Sequence, residues 1–564
     1  MSGLPIPLLA LDGARFHRGV AWLTVACCLL ACVPSGLRWL RVAQREHYLA
    51  GSVTRFAARW WGSTIVNIVL SIVALAAAVA SLRWPVAGVA VAAVVTAGPL
   101  GLTLRGRTSA LAWTRRLRTL AAVWAVLELV VFVVGLASGL AAPLAVVAAL
   151  VVPGLVDLAC AVTAPLEHRL SAHFVEEAKA RLQRVAPIVV AITGSYGKTS
   201  TKGHIAHLVA PGRTVVATPA SFNNRAGLAR AINEHLADGT EVFVAEMGTY
   251  GPGEIADLCG WCPPDIAVIT AVGPVHLERF GSEDRILAAK SEIIERARDV
   301  VLQVDDPRLA ALADQAAARG KRVLRCSASD HSADVCVVRA VGGDRVSVFV
   351  HGAALAEGVA VPAGVQPTNL ACAVAVALAL DVDGATVASR LHDLTAVDHR
   401  QQAVRSEAGV AIIDDTYNAN PAGASAALAA LVNAANAANA FNAANGTDGS
   451  VPTAGATAAD GGGRVRPEGQ QRTVVITPGM VELGPRQNEE NRTFGAAIAS
   501  EATDLVIVGR TNRRALQAGA ASVADSGTAV TLVPNRDRAV EWVRGHLGVG
   551  DVVLYENDLP DHYP

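Results

Sequence analysis

The sequence predicts an α-helical membrane region followed by α/β domains, and three observations carry that reading. Apolar residues crowd into the first 165 positions, a glycine-rich turn with a lysine follows an apolar strand near residue 190, and strand-like and helix-like runs alternate from there onward. Hydrophobic residues make up 52% of the 564 and charged residues only 17%, and the uneven placement of that apolar excess is what marks off a membrane region.

Five stretches in the first part are long enough to cross a bilayer as helices, at about 19–37, 62–81, 84–104, 119–140 and 142–162. A cleaved signal peptide does not account for the first, because four more follow it. Arginines orient the bundle: Arg38, Arg41, Arg45, Arg55 and Arg59 lie between the first two stretches, and Arg105, Arg107, Arg115, Arg116 and Arg118 between the third and fourth. The two short connections hold only Arg83. Positive loops stay inside, which puts the N-terminus outside and everything after residue 163 in the cytosol, with Arg15 and Arg18 dissenting. Glu128 and Asp157 fall within predicted spans and read either as bundle-facing functional groups or as interhelical contacts. Residues 1–163 therefore form a five-span region, and the charged, amphipathic stretch 164–186 a connecting helix.

The nine cysteines fit a reducing compartment; only Cys259 and Cys262 form a C-x-x-C, which is half of a tetrahedral zinc shell. A net charge of -1 gives no reason to invoke nucleic acid.

The run Thr193-Gly194-Ser195-Tyr196-Gly197-Lys198-Thr199-Ser200 follows the apolar strand Pro187–Ile192 and precedes helical spacing, so its glycines fall at a strand-to-helix turn. Backbone N–H groups of such a turn point at an anion, Lys198 can reach the β/γ-phosphates of a nucleotide, and the Thr199 hydroxyl can ligate Mg²⁺. Gly194, Ser195, Gly197, Lys198, Thr199 and Ser200 thus form a candidate nucleotide cradle, with the spacing G-x-x-G-K-T. Further strands are expected at Thr214–Ala217, Val242–Ala245, Ile266–Thr270 and Val300–Val304, within a central domain of residues 187–397. A second series, residues 398–564, has expected strands at Val410–Ile413, Thr473–Ile476, Leu505–Val508, Ala529–Leu532 and Asp551–Leu554. Between its first two strands the Asn/Ala/Gly-biased tract 433–472 reads as a disordered insertion. Glu246 ends one apolar strand and His276 follows another. In an open α/β sheet ligands bind at the carboxyl ends of the strands, so both can converge with the loop on one Mg-nucleotide.

These motifs, with Asn223-Asn224, Val242–Glu254, His276–Ser282, Ala288–Ile294 and Asp414-Asp415-Thr416-Tyr417-Asn418-Ala419-Asn420-Pro421, resemble the ordered motifs of the Mur ligase family over about residues 187–564. The Asp-Asp-Thr-Tyr-Asn-Ala-Asn-Pro run and Val481-Glu482-Leu483-Gly484 resemble the branch that adds D-alanyl-D-alanine to a UDP-linked muramoyl-tripeptide. The resemblance implies a P-loop central domain, a Rossmann-like C-terminal domain, and an ATP-dependent acid–amino acid ligase of peptidoglycan synthesis. A substrate carboxylate takes the γ-phosphate to give an acyl phosphate, and an amine displaces phosphate. It further implies that Lys198, His276, Lys290 and Arg400 are catalytic, and that Thr199, Glu246, His276 and Lys290 serve the magnesium sites, Lys290 as a carbamate. Asn369, Arg400 and Asp415 would contact the nucleotide, and Asn223, Asn224, Tyr417, Asn418 and Asn420 the substrates. Read without the resemblance, Lys290 is a solvated helix lysine.

The chain departs from the family where membrane spans replace a UDP-binding domain, where Val365-Gln366 replace His-Asn, and where an acidic end, Tyr555–Tyr563, replaces a basic Lys-Gly-Ser segment. Thr477-Pro478-Gly479-Met480 also lacks the family's aspartate. Two other readings stand beside the ligase of cell-wall synthesis: a membrane-bound Mur-like ligase of another polymer such as poly-γ-glutamate, and a non-catalytic nucleotide-binding membrane scaffold. Membrane lipid, a muramoyl-peptide or related carboxylate, and an amino acid or dipeptide amine are the expected partners.

Overall fold

The computed structural model describes residues 8–102, 111–220, 222–340, 343, 345–362, 364–394, 402–405, 409–416, 420–444 and 471–558. The chain divides into two units, parting between Ala172 and His173.

The first unit holds α1 (Leu8–Arg45), α2 (Ser52–Trp61), α3 (Ile65–Ser81), α4 (Ala87–Ala97), α5 (Arg115–Ser138) and the start of α6 (Ala141–Val185). Three stretches, Arg18–Arg45, Arg115–Ser138 and Ala141–Glu167, are long and apolar enough to cross a membrane; a fourth counts if α2 and α3, bent by 108°, are taken as one span. Among the described residues three or four such stretches thus stand beside the five expected, and the third expected segment contains the 11-residue α4, which rises about 16 Å against a hydrocarbon core of about 30 Å. The expected connecting helix is likewise no separate element, since α6 runs unbroken through it.

Side chains that are costly to bury in hydrocarbon close the turns of this bundle. Asn67, near the start of α3, donates to the Leu100 carbonyl at 3.2 Å and accepts from its amide at 2.9 Å, so the chain that leaves along α3 returns beyond α4 to its starting level. Arg38 donates to the carbonyls of Val95 (3.4 Å), Thr96 (2.9 Å) and Gly98, placing its charge on the otherwise unpaired C-terminus of α4. Asp157 accepts the amides of Val53 (3.1 Å) and Thr54 (2.7 Å), completing the first turn of α2. Glu128 accepts from the Trp124 indole at 3.2 Å. Both acidic groups thus make interhelical or local contacts.

In the second unit the first sheet comprises β1 (Ile188–Thr193), β2 (Val215–Ala217), β3 (Val242–Glu246), β4 (Ile266–Ile269), β5 (Asp299–Gln303), β6 (Arg322–Ser327), β7 (Val335–Arg339), β8 (Arg345–Val350) and β9 (Ala353–Ala360). Their order is β2-β3-β1-β4-β5-β6-β7-β8-β9, parallel as far as β7 and antiparallel beyond. The central strands are apolar on both faces because helices cover both, as the two separate apolar clusters flanking the sheet show. β3 and β4 lie on opposite sides of β1, so the chain reverses direction across the sheet there and opens a crevice at the strand carboxyl ends.

The second sheet comprises β10 (Gln402–Arg405), β11 (Ala411–Asp415), β12 (Thr473–Thr477), β13 (Asp504–Val508), β14 (Ala529–Val533) and β15 (Val552–Glu556), in the order β10-β11-β15-β12-β13-β14. Only β10 is antiparallel to its neighbour. The tract expected to be disordered from 433 is helical through Ala444, as the end of helix Pro421–Ala444, with Leu431 and Ala435 buried. Residues 445–470 of it lie outside the described residues.

Glu556 ends β15 with no solvent exposure and takes a hydrogen bond from Thr477. Burial, seconded by the charge of Asp415 and opposed by the Thr477 bond, pushes its carboxyl up to about 8. An unfolded glutamate titrates near 4.3, so the folded state holds its proton more tightly and this stabilisation is lost as pH rises from about 4.3 through about 8. Glu556→Gln is expected to flatten that dependence and to raise stability at pH 8.5 relative to wild type, read from denaturant midpoints between pH 5 and 9. Parallel curves for the two proteins would exclude the buried-acid account.

Candidate active site

The loop after β1 is shaped by two glycines. Gly194 has φ 155° and Gly197 φ 83°, and a Cβ at these positions would stand 2.0 Å from Thr270 Oγ1 and 2.2 Å from Asn369 Oδ1. Side chains thus crowd the loop from behind while its backbone adopts conformations that glycine tolerates. Ser195 Oγ donates to the Gly273 carbonyl at 3.1 Å and accepts from its amide at 2.9 Å, and Thr270 Oγ1 donates to the Tyr196 carbonyl at 2.5 Å. These bonds tie the loop to the segment following β4. Helix α7 (Lys198–Val209) starts at Gly197 without a side-chain cap, so its first amides are open to an anion. Lys198 Nζ folds back to the Gly194 carbonyl at 2.8 Å.

Beside the loop, Glu246 closes β3 in full burial. Its Oε2 accepts from Thr199 Oγ1 and from Lys202 Nζ, both at 3.0 Å, and its Oε1 from Asn223 Nδ2 at 3.1 Å. The amide of Glu246 bonds Thr218 Oγ1 at 3.1 Å. A buried carboxylate is tolerated because Lys202 neutralises it and three hydrogen bonds satisfy its oxygens. Sequence reasoning missed Lys202, although its i,i+4 spacing from Lys198 puts both lysines on one face of α7.

His276 has φ 61° and opens the short helix Leu277–Phe280. Its Nδ1 is hydrogen-bonded to Glu482 of the C-terminal domain, its ring lies 5.1 Å from that of Tyr250, and Arg279 reaches Glu482 Oε1 at 3.8 Å. Glu482 was noticed in the sequence only as part of a branch motif. Its left-handed backbone, φ 64°, is not visible there.

Lys290 overturns the expectation of a solvated helix lysine. It is buried, and that burial first, then the nearby charge of Lys198, holds its ammonium well below the ordinary lysine range.

Asn369 packs against Gly197, and Asp415 ends β11. Asn224 and Asn420 spend their side-chain oxygens as caps, on the amides of Gly227 and Gly423, both at 2.9 Å. Arg400, Tyr417 and Asn418 lie outside the described residues. Cys259 and Cys262 are buried in an apolar cluster where burial raises the Cys259 thiol to about 12 and the Cys262 thiol further.

The oxygens fit a magnesium ion: Thr199 Oγ1 and Glu246 Oε2 stand 3.0 Å apart at the foot of the phosphate loop, and Mg²⁺ takes one or two protein oxygens with phosphates and water. Among the described residues no group of three or more His, Cys, Asp or Glu side chains forms a metal shell.

Comparison with known proteins bears on this geometry. The Mur ligase middle domain matches residues 192–377. The UDP-N-acetylmuramoyl-tripeptide–D-alanyl-D-alanine ligase of Mycobacterium bovis is 33% identical over 388 residues, covering 65% of this chain and 69% of that protein. Among solved structures, MurF from Acinetobacter baumannii superposes with a TM-score of 0.53 at 22% identity, over 68% of this chain and 77% of its own. MurF ligase from Thermotoga maritima in complex with ADP superposes with a TM-score of 0.50 at 24% identity, over 69% and 80%. The two superpositions report the fold.

Proposed function

This chain belongs to the Mur ligase family, and from that premise we propose that it joins D-alanyl-D-alanine, or a similar amine, to the carboxylate of a muramoyl-peptide at the expense of ATP, in peptidoglycan synthesis. The observation that carries the reading is the convergence of Lys198, Thr199 and Glu246 at the carboxyl ends of β1 and β3. Two anionic reactants, a carboxylate and a triphosphate, repel each other, and the loop amides with Lys198 supply fixed positive charge where negative charge moves. Mg²⁺, held by Thr199 and Glu246, would supply further charge neutralisation at the phosphates. Lys202 and Asn223 keep the Glu246 carboxylate in place. The test is incubation of the full-length detergent-purified protein with ATP, Mg²⁺, UDP-linked and lipid-linked muropeptides and D-alanyl-D-alanine. Phosphate release with a product heavier by one dipeptide residue supports the proposal, and phosphate release only with other carboxylates or amines rejects the substrate assignment.

On this reading the apolar helices hold the protein in a membrane, the catalytic domains lie on the cytoplasmic side where ATP is, and the N-terminus lies outside, an orientation supported by the arginine-rich loops. Three crossings give the same sidedness as five, because α3 and α4 return to the level they left. A reporter fused at Gly449 is expected to read cytoplasmic and one fused after Ala141 to read periplasmic. The reverse pattern would overturn the orientation.

A further inference from the structure

Resting on the ligase reading above, we infer that Glu482 is a positioning residue: carried by the C-terminal domain, it holds His276 of the central domain through Nδ1, so that docking of the two domains fixes the proton and the orientation of that ring for the ligation reaction. A carboxylate accepts, so the shared proton sits on Nδ1, and Glu482 thereby fixes which ring nitrogen carries it and which way the ring is turned.

Several features make this contact a built one. Glu482 and His276 both adopt left-handed backbone conformations, φ 64° and 61°, which non-glycine residues keep only when their surroundings fix them. The Glu482 carbonyl accepts from the Glu278 amide at 3.5 Å. Arg279 approaches the other carboxylate oxygen at 3.8 Å while lying over the Tyr250 ring at 5.0 Å, and Tyr250 in turn flanks the His276 ring. Gly484 lets the two backbones come together: a Cβ there would stand 3.3 Å from the Glu278 amide. Arg486 and Glu283 form a second ion pair between the domains at 2.5 Å, and this one does not touch His276. It separates positioning from mere docking.

The experiment uses the full chain in detergent with four variants. Glu482→Ala is expected to lower kcat about tenfold or more while KM for ATP moves less than about threefold, and Glu482→Gln, whose amide carbonyl still accepts from Nδ1, to stay within about threefold of wild type. Arg486→Ala, which breaks the other ion pair, should also stay within about threefold. Independently of turnover, the ¹⁵N signals of His276, assigned by their loss in His276→Gln, should report the Nδ1–H tautomer in wild type and Glu482→Gln and a shift toward Nε2–H in Glu482→Ala. An unchanged tautomer in Glu482→Ala, or an Arg486→Ala defect equal to that of Glu482→Ala, overturns the inference. Failure of the ligase reading is distinguishable, because it appears as wild-type phosphate release from Lys198→Ala, whatever Glu482 does.

Discussion

Lys198→Ala is expected to lower ATP turnover by about 10²–10³-fold or more while leaving the fold intact. The side chain is half-buried at the start of α7 and donates to the Gly194 carbonyl four residues back, so truncation removes little packing. It does remove the one ammonium that α7 presents at its first position, over a turn whose amides face the same way. The amides remain in the variant, and nucleotide binding is expected to weaken less than turnover, since the lysine acts most where charge moves. Phosphate release measured beside a thermal unfolding midpoint checks both halves. Unchanged release would sink the phosphate-loop assignment, and a midpoint lowered by many degrees would make the loss of activity a folding effect.

How far the sequence was legible depended on what each residue's neighbours are. Strands buried on both faces are written as unbroken apolar runs, and β1, β3, β4 and β5 were read from them to within a residue or two. β6, β8 and β9 were missed because they are half-exposed: Arg322 and Arg345 begin two of them, and β9, Ala353–Ala360, is mostly alanine and glycine with little β propensity; β7, Val335–Arg339, was missed although its first three residues are buried and apolar. Apolar segments were found by hydropathy, but hydropathy does not count turns, and α4 is only 11 residues long. Its C-terminal end is fixed by Arg38 and Asn67, whose partners are distant in sequence.

The site followed the same rule. Residues within the phosphate loop were legible because their chemistry depends on local spacing, whereas the Glu246–Lys202 pair and the His276–Glu482 contact span 44 and 206 positions. The Asn224 and Asn420 caps show the converse: polar residues marked for substrate contact are used by their own helices.

Lys290 carries the last prediction, that it is carbamylated and acts as an anion. The family resemblance brought the idea, and the structure supplies its physical precondition. Carbamylation joins the nitrogen lone pair to the carbon of CO₂ and releases a proton, so it needs an uncharged amine. Burial and the charge of Lys198 both disfavour the ammonium form of Lys290. Before reaction two lysines compete for one sign of charge; after it, the carbamate faces Lys198 with the opposite sign, which turns a repulsion into an attraction. Buried anions need such a partner, and here it is the residue proposed to bind phosphate. Lys290→Ala is accordingly expected to lose about 10²-fold or more of ligation, by analogy with the loss of a buried site carboxylate, and a short carboxylic acid added to the assay should restore part of it by filling the vacated space. Lys290→Arg should stay inactive, since a guanidinium keeps its charge and cannot become a carboxylate mimic. ¹³C-labelled bicarbonate should give a carbamate carbon signal in wild type that Lys290→Ala lacks. Near-normal activity of Lys290→Arg, or the same signal in both proteins, would exclude the role.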